Sequence, residues 1–368
     1  MQDALFLLLK LAIGGNTTPE IIPSTIDWQY IYLLSIRHGV SALCLDGIQK
    51  VSTLHSSSSF FASKVMKSGV DKLQWIISVM RTEEMYQRQE NIIEKLSRFY
   101  SDEGIKMLLL KGYGLSLNYP NPNHRQCGDI DVYLYGKGEF ADKRVEKVFG
   151  IQSKQNEDKH SIFLFDGSMV ENHASIINTV IHPNSQLLED YFERETANAI
   201  SITIGFTSFY IPSANMNALF LPYHTAGHFC RDEANLRHLC DWATFVMKYG
   251  KSVDWRLVEE KAKVAGFYKF FTCLNGIVME KLGVPADCLP KWKRNKVLEA
   301  RILSEFIRKD TKVVNTKIDK IQKFWKNRWK YKIVYRENTL QHFLLLSRSY
   351  YRTIINKNAK SIWDKERQ

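Results

Sequence analysis

Asp129 and Asp131 stand two residues apart in Gly128-Asp129-Ile130-Asp131-Val132-Tyr133-Leu134, a stretch with the alternation of a half-buried strand. Side chains two apart on a strand point to the same face, so the spacing predicts two carboxylates side by side. Left alone, such neighbours raise each other's pKa. A divalent cation removes that cost, and Mg²⁺ takes a few carboxylate oxygens together with phosphate oxygens, the donor set of phosphoryl and nucleotidyl transfer. An exposed, solvated acidic pair has the same signature, so the surrounding residues must decide. Leu110-Lys111-Gly112 ends a short apolar run, Arg125 precedes the aspartates, and Val170-Glu171-Asn172-His173 follows later. Glu171 and His173 share a face by the same two-residue rule. Glu171 closes a three-carboxylate site if its strand lies beside the first.

The elements that must position these groups are legible from periodicity. Residues up to about 104 read as helical, with Trp28, Ile31 and Leu34, then Val40, Leu43 and Leu45, at helical spacing. A polar break at Ser56 to Ser59 precedes a long helix from about Val65 to Tyr100. Its predicted buried stripe is Ile76, Met80, Met85, Ile92, Ile93 and Leu96. Ile105 to Leu110 suits a buried strand. A brief helix or turn and a proline- and asparagine-rich loop from Tyr119 to Asn123 lead to the aspartate strand. Gly138 to Phe149 reads as a surface helix. Ser161 to Phe165 and Met169 to His173 flank Asp166-Gly167, a hairpin signal, and a second hairpin is expected near Ile200 to Ile211. Helical patterns then return at Asn215 to Phe229, Ala234 to Tyr249 and Trp255 to Ala265. No internal repeat is evident. The expected fold class is α+β: a helical region over 1–104, a small mixed-sheet core over 105–212, a helical domain closing the cleft over 213–300, and a basic helical segment over 301–368.

On these residues the chain resembles the nucleotidyltransferases of the DNA polymerase beta superfamily, and more narrowly the bacterial group labelled uncharacterised nucleotidyltransferase. That group has a helical N-terminal region, a strand ending in Lys-Gly, an Arg ahead of Asp-x-Asp, and a later Glu-x-His. Here these are Lys111-Gly112, Arg125, Asp129-Ile130-Asp131 and Glu171-Asn172-His173. Trp28, His38-Gly39-Val40, and downstream His224, His228, Leu236-Arg237 and Asp241 fit the same pattern. The resemblance spans about residues 5 to 285. It implies a nucleotidyltransferase core in which Asp129, Asp131 and Glu171 are catalytic and bind Mg²⁺ or Mn²⁺. Lys111, Gly112 and Arg125 would contact the triphosphate, and His173, His224, His228, Arg237 and Asp241 would complete the nucleotide site. The substrates implied are a nucleoside triphosphate such as ATP and a hydroxyl on a small molecule, glycan or protein. The superfamily's usual glycine-serine turn is replaced here by Lys111-Gly112-Tyr113-Gly114, where a lysine ammonium and backbone N–H groups would hold phosphate.

Several alternatives stay open. His173 would orient Glu171 or meet the acceptor, or simply hold a structural hydrogen bond. His224 and His228, four apart, share one helix face. They would line the cleft, stand as satisfied structural histidines, or bind a metal completed by Asp241 on the next helix. A non-catalytic nucleotide-binding or interaction protein that keeps the fold, and an enzyme adding nucleotides to RNA, remain as rivals to the transferase.

Composition sets the outer bounds. The 368 residues are 45% apolar and 24% charged, ordinary for a globular protein. No run approaches the roughly 18 apolar residues of a spanning helix, and Leu5 to Ile13 is short, broken by Lys10 and without a basic leader. Six cysteines without a CxxC pair suit free, buried thiols and a cytoplasmic location. The net charge of +12 resides in residues 301–368, with 18 lysines and arginines against 6 acids, while the remainder holds 33 of each sign. Lys317 to Lys332 interleaves bases with Phe324, Trp325, Trp329 and Tyr331. That segment would bind nucleic acid, dock peripherally on an anionic membrane, or pack on the body with a solvated basic face.

Overall fold

The computed structural model describes residues 2–16, 26–54, 72–155, 160–179, 182, 184–308, 317–345 and 347–348. The architecture is α+β, a seven-stranded mixed sheet among many helices. The polar break at Ser56 to Ser59 and the expected helix start near Val65 lie outside the described residues.

Among the described residues, four helices come first: α1 (Gln2–Ala12), α2 (Trp28–Arg37), α3 (Ser41–Leu54) and the long α4 (Lys72–Asp102). The sheet follows, with β1 (Leu108–Leu109), β2 (Ile130–Tyr133), β3 (Lys154–Gln155), β4 (Ser161–Phe165), β5 (Ser168–His173), β6 (Ile200–Ile204) and β7 (Thr207–Ile211). Three helices are threaded between the strands: α5 (Tyr113–Ser116), α6 (Gly138–Phe149) and α7 (Ser185–Glu195). Helices α8 (Ala214–Arg231), α9 (Leu236–Tyr249), α10 (Trp255–Ala265), α11 (Tyr268–Leu282), α12 (Lys296–Ile307) and α13 (Lys317–Val334) follow.

The strand order is β3-β4-β5-β2-β1-β7-β6. β2 lies at the centre, antiparallel to β1 and parallel to β5. The expected hairpins form at β4–β5 and β6–β7. In the first, Asp166 and Gly167 both take positive φ, 46° and 80°, the backbone of a two-residue turn whose twist matches the flanking strands.

Both faces of the central strands are covered. Leu109, Ile130, Val132, Val170 and Phe209 join a core with Ile92, Ile93 and Leu96 of α4 and Val145 of α6. Leu108, Leu110 and Tyr133 join a larger core with α1 and α8–α12. All four residues of β2 are therefore buried, where alternation had predicted one solvated face. The polar residues of the alternation face a cleft between the sheet and the helices.

The N-terminal half of α4 differs from expectation. Met80 and Met85 are exposed, and the buried residues are Trp75, Val79 and Tyr86. The Trp75 indole N–H donates to Ser41 O at 2.9 Å, which pins α4 to the start of α3 with Trp75 on the inside. The expected C-terminal half, Ile92, Ile93 and Leu96, is fully buried.

Helix α13 packs on α8 and α11. Its Lys330, 1% exposed, reaches Asp232 and Glu305, the latter at 2.7 Å. This part of the basic segment thus packs on the body. All six cysteines are free and buried. Among the described residues, no helix is long and apolar enough to cross a membrane.

Candidate active site

Parallel pairing of β2 with β5 sets Asp131 opposite Glu171 and Tyr133 opposite His173. The pleat then sends Asp131, Glu171 and His173 to one face, while Ile130, Val132 and Val170 enter the core behind. Asp129 immediately precedes β2, beside the turn made by Lys111 and Gly112. That turn is tight because Gly112 adopts φ 67°, ψ −121°, and a Cβ there would lie 3.3 Å from Asp129 O.

Asp131 Oδ1 accepts from Lys111 Nζ and from His173 Nε2, each at 2.9 Å. Burial pushes its carboxyl up, but Lys111 and His173 outweigh burial and hold its pKa at about 2. Asp129 shifts the other way, raised by partial burial and by the charges of Asp131 and Glu171. For His173, burial works against the imidazolium, and Asp131 and Glu171 prevail, raising its pKa. His173 Nε2 also lies 3.5 Å from Glu171 Oε2. The chain beyond β5 is held by Glu189 of α7, whose carboxylate accepts from the N–H groups of Ile176 and Ile177 at 2.7 and 2.8 Å.

The opposite wall comes from α8 and α9. Asn235 caps α9, and the fold places Arg237 and Asp241 one turn apart on it. Asp241 is fully committed: Arg125 Nε and Nη2 donate to its two oxygens at 2.9 and 2.8 Å, and Tyr119 OH donates at 2.7 Å. The Arg125 guanidinium outweighs burial and keeps Asp241 ionised below the usual range. The pair ties the loop before β2 to α9, and Arg237 Nη1 adds a bond to Gln126 O at 3.0 Å. Beneath that loop, His124 bridges Asp46 of α3 and Glu83 of α4 at 2.9 and 3.0 Å.

Between the walls lies a cavity of about 340 Å³. Nine of the residues singled out in the sequence line it: Lys111, Gly112, Arg125, Asp129, Asp131, His224, His228, Arg237 and Asp241. Glu171 and His173 adjoin it through Asp131. Glu233, Asn235 and His238 also line it and were not anticipated. A signal existed for His238: it stands beside Arg237 and ten residues after His228, across a polar turn. Yet only the packing of α8 against α9 shows that these rings meet. They do so with centroids 4.9 Å apart for His228 and His238, and 4.4 Å for His224 and His228. The third group brought to the His224–His228 pair is therefore His238 rather than Asp241.

This arrangement can take an anionic, partly apolar ligand. The Lys111 ammonium and Arg237 guanidinium face the cavity; Asp131, Glu171 and His173 bring one ligand atom each within 4.8 Å of one another, and Asp129 lies near enough to feel the charges of both acids. Acids this close fit a divalent cation, because a cation relieves both the burial and the like-charge repulsion that raise Asp129.

A solved structure of an antigenic nucleotidyltransferase-like protein from Paracoccidioides brasiliensis is similar to this chain at 11% identity and a TM-score of 0.36, covering 53% of this chain and 92% of that one. No curated protein matches the chain. The model of the family described as uncharacterised nucleotidyltransferase matches residues 24–280, a span that includes every residue of the cavity, and the chain belongs to that family.

Proposed function

We propose that the protein transfers a nucleoside monophosphate from a nucleoside triphosphate to a hydroxyl acceptor, a small molecule, glycan or protein. The observation that supports this reading is the register of Asp131 against Glu171, with Asp129 and Asp131 lining a cavity that Lys111 and Arg237 also line. Asp129, Asp131 and Glu171 would hold Mg²⁺ or Mn²⁺. Such a cation neutralises charge on the attacking and leaving oxygens of the transfer.

The chain's own residues do the rest. The acceptor hydroxyl gives its proton to solvent as its oxygen bonds to the α-phosphorus, the bond from that phosphorus to the β-bridging oxygen breaks, and pyrophosphate leaves. Lys111 Nζ exchanges its bond to Asp131 for the triphosphate oxygens, and the Gly112 turn brings backbone close to them. Arg237 adds charge from the opposite wall. His173 holds Asp131 and Glu171 in register. Arg125 and Asp241, tied to each other, fix the distance between the walls and so the position of the triphosphate.

A second reading has one observation in its favour. Lys111 and His173 already neutralise Asp131, as they would in a fold that binds a nucleotide without turning it over. Pyrophosphate release from ATP, CTP, GTP and UTP, with Mg²⁺ or Mn²⁺ and a panel of hydroxyl acceptors, separates the two. Metal-dependent release that is lost in Asp129→Asn supports transfer. Stoichiometric binding without release supports the binding protein.

A further inference from the structure

Three histidines on the wall facing the carboxylates have no part in the scheme above that needs all of them. His224 and His228 sit one turn apart on α8, and His238 lies in the first turn of α9. One ligand-capable nitrogen from each lies within 4.8 Å of the other two. We propose that His224, His228 and His238 form a second, separate metal site, for a borderline divalent transition ion such as Zn²⁺, with its open position facing the cavity.

The hydrogen-bond pattern carries the case. His228 Nδ1 lies 3.1 Å from Glu233 Oε2, and a carboxylate there fixes the proton on Nδ1. Its Nε2 lone pair is then aimed into the cluster, the usual outer-sphere arrangement of a metal-binding imidazole. His224 Nε2 lies 3.0 Å from that lone pair. Adjacent nitrogens of a tetrahedral zinc site lie about 3.3 Å apart, from Zn–N bonds of about 2.0–2.1 Å. A small opening of the pair therefore admits the ion, with His224 moving its proton to Nδ1.

His238 makes the larger adjustment. Its Nδ1 accepts from the Asn235 N–H at 3.1 Å, and it gives up that bond to coordinate. Helix α9 stays capped meanwhile, because Asn235 Oδ1 still accepts from the Arg237 N–H at 3.1 Å. The donors are three nitrogens and no oxygen, which selects against Mg²⁺ and for Zn²⁺, Co²⁺ or Ni²⁺. With three protein ligands the fourth position takes water or an anionic oxygen of the cavity's occupant, a phosphate or a carboxylate. The site is thus placed to grip the substrate from the side opposite Asp129 and Asp131.

The test is a Co²⁺ titration of untagged, chelator-stripped full-length protein, without nucleotide and in excess Mg²⁺ to saturate the carboxylates. One Co²⁺ per chain, with the visible absorption of a four-coordinate ion and displaced by one equivalent of Zn²⁺, is the expected result. His224→Ala and His228→Ala should each weaken binding at least 100-fold, and Glu233→Gln, which removes only a partly exposed outer carboxylate, about 10-fold. Unchanged melting temperatures of the stripped variants show that they fold. Absence of saturable Co²⁺ absorption in the unaltered protein overturns the proposal, as does equal affinity in the folded histidine variants. Because no nucleotide is present, failure here leaves the transferase reading intact. Co²⁺ binding in a protein that binds no nucleotide would remove that reading alone.

Discussion

At the scale of residues, the site depends on a backbone conformation as much as on charge. Gly112 holds φ 67°, ψ −121° with Asp129 O close by, and a side chain there is strained even before it meets its neighbour. Gly112→Ala should therefore cost about 1–3 kcal/mol of stability in a urea titration. It should also weaken nucleotide binding by about tenfold or more, since the turn between Lys111 and Asp129 must open. Unchanged binding would show that this turn does not approach the phosphates. The chemistry-bearing residues were legible in the sequence because two-residue spacing on strands is rigid: Asp129, Asp131, Glu171 and His173 needed only the pairing of β2 with β5. His238 was not, because it reaches His228 across a helix–helix contact that no local period records, and Glu233 was not, because it meets His228 only through the turn that ends α8.

Elements position these residues through a few buried polar groups, and one of them has a readable pH dependence. His38, at the end of α2, is 3% exposed, and neither ring nitrogen has a hydrogen-bond partner. Burial, with Arg37 adding to it, lowers its pKa to about 4 from 6.5. A histidine depressed in the folded state contributes stability that is present above its unfolded pKa. That contribution is lost as pH falls toward the folded value. Between pH 7 and pH 5 the unfolded chain gains most of a proton at this ring and the folded chain does not. The loss is about 2 kcal/mol. His38→Leu should remove that much of the difference between urea titrations at the two pH values. An equal difference in both proteins would contradict the assignment. Many of the elements follow from local rules. Hairpin β4–β5 and helix α6 lie where alternation, Asp166-Gly167 and helical spacing put them. In α4, however, the bond from Trp75 to Ser41 selects which apolar residues turn inward, and Met80 with Met85 is left outside.

Over the whole molecule, two cores clasp the sheet and the cleft opens on one side of it, so the cavity depends on how the C-terminal helices seat. Lys330 is a fastening point for α13, buried between Asp232 at the end of α8 and Glu305 of α12. Lys330→Met would leave Asp232 with Lys323 at 3.5 Å and Glu305 with Arg308 at 3.0 Å as the remaining cations, at a cost of about 2–3 kcal/mol, measurable as a lowered urea midpoint. A loss below about 1 kcal/mol would mean that water reaches this cluster. The charge excess of residues 301–368 was plain from composition, but the use of this lysine as a buried clamp was not. Composition counts charges and does not say which ones are paired inside.

The most direct test of the central claim is calorimetric binding of each of the four nucleoside triphosphates with and without Mg²⁺, in the unaltered protein and in Asp129→Asn. The account predicts saturable binding of at least one nucleotide at one per chain, strengthened at least tenfold by Mg²⁺. It predicts that the Mg²⁺ effect is lost in the folded variant. Binding that ignores Mg²⁺, or a Mg²⁺ effect that survives the substitution, would contradict the assignment of Asp129, Asp131 and Glu171 as the cation-binding acids.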